Sequence, residues 1–496
     1  MIYSVGENIY GFNSGVEFVQ IKRTQSLLAN GEAAKIVTQD YNRFLARDII
    51  NMGIENTQYI NMYDYFQHAN NIERQETSIR FLSTIPLRDY HVTSVNANYS
   101  TIDSMGRKLA KINVMPGTVG LVGDIVYYDR VGNKEITQYY DWRGFLSMEE
   151  TYHPDGSVAL QTFFDVNGKS VIEIVHMFIN GVVTPTMYKL LNFYGQDYVF
   201  DTQVQLFTFF LNELNIAEPG IFVADRPGVV EAVLGVLNPV KTVAYLHENH
   251  LEKNQITDEK MLKQAYAGIV TPVGKHFDLI ATATDAQTAD LKQGYTGINA
   301  CTLQSATYTS IDISKQTDLT KIVYVGRLAP DKNISGLIDI FQSIHEQKPD
   351  AELYLKGYYS STDYKQQIEH QLHNTEIVDA VHFLDYSIDN RDIYQDAALF
   401  LTAAKSEGFG INALEGMSHG VPVACYAVDY INKNLVINGE NGITITNRTP
   451  HNLAKLIVAT FEDVNKIKKL KSNALKTAQK FDANRLVTQW RSIGKN

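Results

Sequence analysis

The hydrophobic pattern changes period along the chain, and this constrains the fold more than any other feature. Up to about residue 75, a strand-like MIYSV, a loop from Gly6 to Gly15, a helical run from Val16 to Asn30 and the strand-like AAKIVTQD follow in turn. Such alternation builds βαβ units, a parallel sheet with helices on its faces. From about residue 76 to 200 the helical period is gone. KLAKINVM, DIVYYD, EITQYYDW, SVALQTFFDV, SVIEIVHMFI and VTPTMYKLLNFY are separated by Asp129–Asn133, Pro154-Asp155-Gly156, Asn167-Gly168 and Asn180-Gly181. Asn-Gly between alternating runs marks a hairpin, because a type I′ turn needs positive φ at both central residues. An antiparallel β-meander is expected there. GIFVADRPGVVEAVLGVLNPVKTVAYLHENH then restores βαβ alternation, so the meander interrupts a first Rossmann-like domain. Near residue 315 the pattern restarts with KIVYVGRL, a helix over Ile334–Gln347, AELYLKG, VHFLDY, ALFLTAA, the helical INALEGMSHG and PVACYAV.

The expected class is α/β: residues 1–75 and 201–314 form one Rossmann-like domain, 76–200 an inserted antiparallel meander, and 315–496 a second Rossmann-like domain with a terminal helix. At 496 residues the chain is too long for one hydrophobic core. Fifty-five acids against 44 bases, a net charge of −11, argue against a nucleic-acid backbone as partner. Two cysteines, Cys301 and Cys425, make no disulfide framework and suit a reducing cytoplasm. The opening MIYSVGENIYGFNSG lacks the basic and apolar regions of a secretory signal, and no run reaches the ~18 apolar residues of a membrane span. Lys466, Lys468, Lys469, Lys471, Lys476 and Lys480 have helical spacing and read as a solvated face. The expectation is a cytoplasmic protein with at most peripheral membrane association.

The chemistry concentrates in Ser406-Glu407-Gly408-Phe409-Gly410-Ile411-Asn412-Ala413-Leu414-Glu415, which follows ALFLTAA and opens a helix. Gly408 and Gly410 would let backbone amides approach a ligand, and a helix N-terminus favours a negative group. Glu407 and Glu415 can reach different parts of a long ligand. The competing readings make Glu407 a helix-dipole partner and Glu415 a surface acid. Gly326-Arg327-Leu328 closes a strand and Asp331-Lys332-Asn333 precedes a helix, placing two cations at the carboxyl edge of the second sheet, where open α/β sheets bind ligands. Arg327 and Lys332 singly read as solvated charges. Together with the Glu407 loop they suit a diphosphate leaving a sugar nucleotide. No Asp-x-Asp pair, zinc-type spacing or phosphate loop occurs, so no metal is expected.

GRLAPDKN followed by SEGFGINALEG, with seven residues between the glutamates, resembles the donor half of a retaining family 4 glycosyltransferase of the GT-B architecture, in which two Rossmann-like domains face a cleft. Asn13-Ser14-Gly15-Val16-Glu17 and His247 of LHENH stand where such enzymes have their donor-contacting loop and active-site histidine; a plain helix start and a core histidine are the alternatives. The opening from Tyr3 through SGVEFVQ and the inserted meander are similar to the glucosyl- or N-acetylglucosaminyltransferases that initiate glycosylation of serine-rich repeat adhesins in Gram-positive bacteria. Teichoic-acid α-glycosyltransferases share the plan.

The resemblance implies a UDP-N-acetylglucosamine or UDP-glucose donor and no cofactor. It puts Glu415 on the ribose, Leu384 and Tyr386 near the uracil, and Arg327 and Lys332 at the departing phosphate. Glu407 and the amides of Gly408, Phe409, Gly410, Ile411 and Asn412 would hold the sugar, with Gly15, Val16 and His247 contributed by the first domain. Glu407, His247, Lys332 and Arg327 carry the implied catalysis. The implied acceptor is a serine-rich polypeptide, modified before export by an accessory Sec route, and the implied partner is a paralogous subunit or further copies of the chain, with the insert making acceptor or oligomer contacts. A polyol-phosphate wall polymer is the alternative acceptor. A non-catalytic substrate-binding partner is the alternative of another class, disfavoured because Gly15, His247, Arg327, Lys332, Glu407 and Glu415 are all present.

Overall fold

The structure, a computed structural model, describes residues 1–78, 90–253, 260–271, 273–305, 307–308 and 316–494. It divides into two compact units: residues 1–11, 35–220 and 231–239, and residues 12–34, 221–230 and 240–496.

In the first unit β1 (Ile2–Gly6), β2 (Ala34–Thr38) and β3 (Tyr59–Asn61) lie side by side, β2 and β3 in parallel. Every residue of β1 is buried, as expected for a strand covered on both faces. The remainder is dominated by one ten-stranded antiparallel sheet. Its strands are β4 (His91–Ser94), β5 (Tyr99–Ser104), β6 (Arg107–Val114), β7 (Val122–Tyr128), β8 (Lys134–Tyr140), β9 (Leu146–Tyr152), β10 (Val158–Phe164), β11 (Ser170–Ile179), β12 (Val182–Phe193) and β13 (Gln196–Phe200). Each pairs with its neighbours in sequence, which makes the sheet a pure meander. Asn180 and Gly181 have φ of 51° and 83°, the type I′ geometry their pairing predicts.

Four other turns share a different device. Gly132, Gly144, Gly156 and Gly168 recur every twelve residues and all have positive φ. In each, the glycine amide donates to the carbonyl three residues back, and that earlier residue's amide donates to the carbonyl after the glycine, as in Gly144 N to Asp141 O (2.8 Å) and Asp141 N to Phe145 O (2.9 Å). The middle of the meander is therefore a twelve-residue hairpin repeat, a period the sequence reading overlooked. One face of the sheet packs Ile102, Ala110, Ile112, Met115, Val122, Ile125 and Tyr140 into a core.

The second unit holds two parallel arrays. The first runs β14 (Ile221–Ala224), β15 (Lys241–Leu246), β18 (Leu279–Thr282), β19 (Ala300–Thr302), with a small hairpin of β16 (Leu251–Lys253) and β17 (Lys260–Leu262) between β15 and β18 in sequence. The second has six parallel strands: β20 (Asp318–Val325), β21 (Glu352–Lys356), β22 (Val381–Leu384), β23 (Ala397–Thr402), β24 (Val423–Tyr426) and β25 (Gly442–Ile445). Their order is β22-β21-β20-β23-β24-β25, which is the 3-2-1-4-5-6 arrangement of a doubly wound sheet.

The lysine-rich segment forms the helix Val464–Gln479, and one of its lysines departs from the solvated-face expectation. Lys471 is buried and donates to the Ala397 carbonyl (2.8 Å), and burial pulls its pKa down to about 8, against a smaller opposing effect of Asp396. The helix turns one lysine inward between Leu470 and Ala474 while Lys466, Lys468, Lys469, Lys476 and Lys480 stay exposed. Among the described residues no helix is long and apolar enough to cross a membrane.

Candidate active site

Strands β20 and β23 are neighbours at the point where the strand order reverses, so the loops leaving their carboxyl ends open around one crevice. The β20 loop carries Gly326, Arg327 and a 3₁₀ turn over Pro330–Lys332; Asn333, with φ of 53°, then starts the helix Ile334–His345. The β23 loop carries Ser406 to Gly410 and enters the helix Ile411–Ser418. The two loops are joined by an ion pair between Lys332 Nζ and Glu407 Oε1 (2.6 Å). Burial depresses the Lys332 pKa, but the charge and hydrogen bond of Glu407, with Asp331 and Glu248, outweigh it and raise the pKa above its ordinary value. Lys332 is thus a fixed cation. Arg327 is half exposed and clasped by both oxygens of Asp331 (3.0 Å each).

The two loop glycines have reasons different from ligand approach. A Cβ on Gly408 would lie 2.3 Å from the His247 carbonyl oxygen and 2.9 Å from Glu248 Cα, so the β15 loop itself demands glycine. Gly410 has φ of 86°, and a Cβ there would meet Ile431 Cδ1 at 2.5 Å. Phe409 is buried against Phe481, with ring centroids 5.2 Å apart. Asn412 lies beside Gly326. Glu415 is partly covered and accepts from Asn390 Nδ2 (3.3 Å) and the Tyr394 hydroxyl (3.3 Å). Burial raises its pKa, countered in part by Asn390, Lys22, His419 and Tyr394. It is no surface acid.

From the first half of the sequence, Ser14 caps the helix Gly15–Ala29 through a capping box with Glu17. A Cβ on Gly15 would sit 3.7 Å from Ile411 Cδ1, so the starts of the two helices meet; Val16, the next residue, is buried. His247, at the carboxyl end of β15, has an imidazole only 6% exposed, with Nε2 2.8 Å from Asp225 Oδ1. Burial lowers its pKa more than Asp225 raises it. The imidazole is neutral at pH 7, its Nε2–H donating to Asp225.

Asp225 was not foreseen, nor was Arg23, whose guanidinium grips both Asp225 oxygens (Nη1 to Oδ1 3.0 Å) with neither side chain exposed to solvent. Arg23 also lies 4.6 Å from the centre of the Trp490 ring. The available signal was ADR directly after the apolar IFV and an arginine on the apolar stripe of the first helix. At the end of β22, Leu384 is exposed, whereas the Tyr386 ring packs on Phe12 (5.2 Å) and Tyr358 (5.6 Å), and Tyr358 donates to the Asn13 carbonyl (3.1 Å). The structure thus groups Lys332, Glu407, Gly408, His247, Gly15 and Ile411, keeps Arg327 on Asp331, and ties Tyr386 to the loop before the first helix. Among the described residues no three His, Cys, Asp or Glu side chains are grouped to hold a metal.

A doubly wound sheet with these loops, and residues 310–477 matching the family model for glycosyl transferases group 1, define a glycosyltransferase of the GT-B class. Within that class it resembles the Gtf type. Residues 90–195, the meander, match the GtfB middle domain. The chain is similar to the UDP-N-acetylglucosamine–peptide N-acetylglucosaminyltransferase GtfA subunit of Streptococcus gordonii, at 23% identity covering 99% of this chain and 98% of that one. It is also similar to the poly(ribitol-phosphate) alpha-N-acetylglucosaminyltransferase of Staphylococcus aureus (strain COL), at 22% identity over 66% of this chain and 64% of the relative. Among solved structures, a mutant of S. aureus TarM in complex with fondaparinux, alpha-GlcNAc-glycerol and UDP superposes with a TM-score of 0.85 at 18% identity, covering 100% of this chain and 99% of that one. The pneumococcal O-GlcNAc transferase GtfA in complex with UDP and GlcNAc gives 0.81 at 19% identity, covering 100% and 98%.

Proposed function

We propose that this enzyme transfers N-acetylglucosamine or glucose from a UDP-sugar to Ser/Thr hydroxyls of a serine-rich polypeptide, with retention of configuration. The observation that carries the donor chemistry is the Lys332–Glu407 pair at the sheet's switch point, with the following Gly408 packed against the His247 backbone. Lys332 and Arg327 neutralise charge on the leaving diphosphate, the largest single way such a site lowers its barrier. Glu407, already bound to Lys332, orients a sugar hydroxyl. Neutral His247 donates from Nε2 to Asp225, which leaves Nδ1 to accept from the sugar. Glu415 takes the ribose hydroxyls, and Leu384 and Tyr386 border the base. In the front-face reaction, the acceptor oxygen bonds to the anomeric carbon as its bond to phosphate breaks, and the departing phosphate takes the acceptor's proton.

The polypeptide acceptor is supported by similarity along almost the whole chain to subunits named as peptide transferases. Likeness to the GtfA/B complex (TM-score 0.78, 19% identity) supports a paralogous partner subunit. A polyol-phosphate acceptor is the second reading, favoured by the TarM superposition. The deciding experiment offers a Ser-rich peptide and a teichoic-acid oligomer to the enzyme with several UDP-sugars and reads products by mass spectrometry. Hexose or N-acetylhexosamine on the peptide supports the proposal. Transfer to the polymer alone replaces the acceptor, and neither transfer nor UDP-sugar hydrolysis makes the chain a binding partner.

A further inference from the structure

We infer that Arg226 is a positioning residue for the donor diphosphate, acting through Glu17 at the start of the helix Gly15–Ala29; the inference rests on the donor-site reading above. The capping box of that helix is complete without it. Ser14 Oγ accepts from Val16 N (3.3 Å), while Glu17 Oε2 accepts from Ser14 N (2.9 Å) and from the Ser14 hydroxyl (2.7 Å). Arg226 is added on top. Its Nη2 donates to Ser14 Oγ (2.7 Å) and Glu17 Oε1 (2.5 Å), and its Nε donates to Glu17 Oε1 (3.1 Å). One guanidinium therefore grips both residues of the cap.

Electrostatics explains why a satisfied cap needs it. A carboxylate in the first turn stabilises an ordinary helix, because it faces the positive end of the dipole. Here the same turn abuts Ile411, the first residue of the helix that the Glu407 loop enters, where a diphosphate is to bind, and the Glu17 side chain is almost wholly shielded from water. An uncompensated Glu17 would repel the donor from the amides meant to hold it. The Arg226 fork cancels that charge and fixes the loop. Arg226 also directly follows Asp225, which holds His247, so the carboxyl end of β14 sets both first-half elements of the site.

The test measures UDP binding by calorimetry, and donor KM and kcat, on the full chain carrying Arg226→Met, Arg226→Lys, Glu17→Gln/Arg226→Met or Lys332→Ala. Gln keeps the capping box and removes only the charge. Arg226→Met should weaken UDP binding and raise the donor KM about tenfold, with kcat at saturating donor falling much less, the order expected of one bare charge beside a helix N-terminus. The double variant should recover most of that loss, and Arg226→Lys part of it. A merely structural arginine would predict the opposite, with the double variant no better than the single. That result, or wild-type UDP binding by Arg226→Met while Lys332→Ala loses it, overturns the inference and leaves the donor reading standing. If Arg226→Met fails to fold, binding by the Lys and double variants decides in the same way. If the wild type binds no UDP, the donor reading falls and this inference with it.

Discussion

Changing Asp225 to Asn should weaken the second unit by several kcal/mol at neutral pH. Asp225, whose side chain is closed off from water, accepts from Arg23, from Gln20 Nε2 (3.1 Å) and from His247 Nε2 (2.8 Å). Burial alone would raise its pKa; Arg23 and His247 more than reverse this and hold it at about 2, against an ordinary 3.8. At about 1.36 kcal/mol per pH unit, that difference is worth about 2.5 kcal/mol. This is a lower bound for the substitution, because removing one partner of a buried pair typically costs about 3–5 kcal/mol. The carboxylate's contribution is present above pH 3.8 and is lost only as pH falls through about 2, so at neutral pH it is complete in the wild type and missing from the variant. In scanning calorimetry the first transition of Asp225→Asn should fall by about 4 °C or more, since a unit of this size shifts by a little under about 2 °C per kcal/mol. Adding Arg23→Met removes the cation left beside Trp490 and should restore part of the loss. A shift below about 1 °C, or a double variant no more stable than Asp225→Asn, would refute the reasoning.

Glu407→Gln and Lys332→Ala should each lower turnover by about 10²–10³ at a temperature where the variant remains folded; turnover like the wild type's in either would contradict the assignment. Product formation should survive excess EDTA, because Arg327 and Lys332 are proposed to supply the positive charge; complete loss restored by manganese or magnesium would count against it. Lys471 loses its proton more readily when folded, so its contribution to stability grows as pH rises from about 8 to about 10.5. The melting temperature of the wild type should therefore gain on that of Lys471→Met over this range, and an unchanged gap would show that the ammonium is not buried as described.

Local chemistry was legible in the sequence. The switch from alternating βαβ runs to period-two strands marked the meander, and Asn180-Gly181 turned as its residues require. The loops with Arg327 and Lys332, and with Glu407, announced themselves by charge and glycine next to apolar strands. The twelve-residue repeat of Gly132, Gly144, Gly156 and Gly168 was equally present and was missed because each turn was read by its own residues and not by the spacing between turns. Tertiary structure alone decided which distant residues share a partner. Arg23 and Asp225 are 202 positions apart, and Lys332 reaches Glu407 across 75. Only packing turned Lys471 inward and placed the His247 backbone where Gly408 can carry no side chain. Periodicity and turn chemistry act over a few residues, so a sequence displays them directly. Burial and charge pairing depend on where remote segments come together, and no local pattern records that.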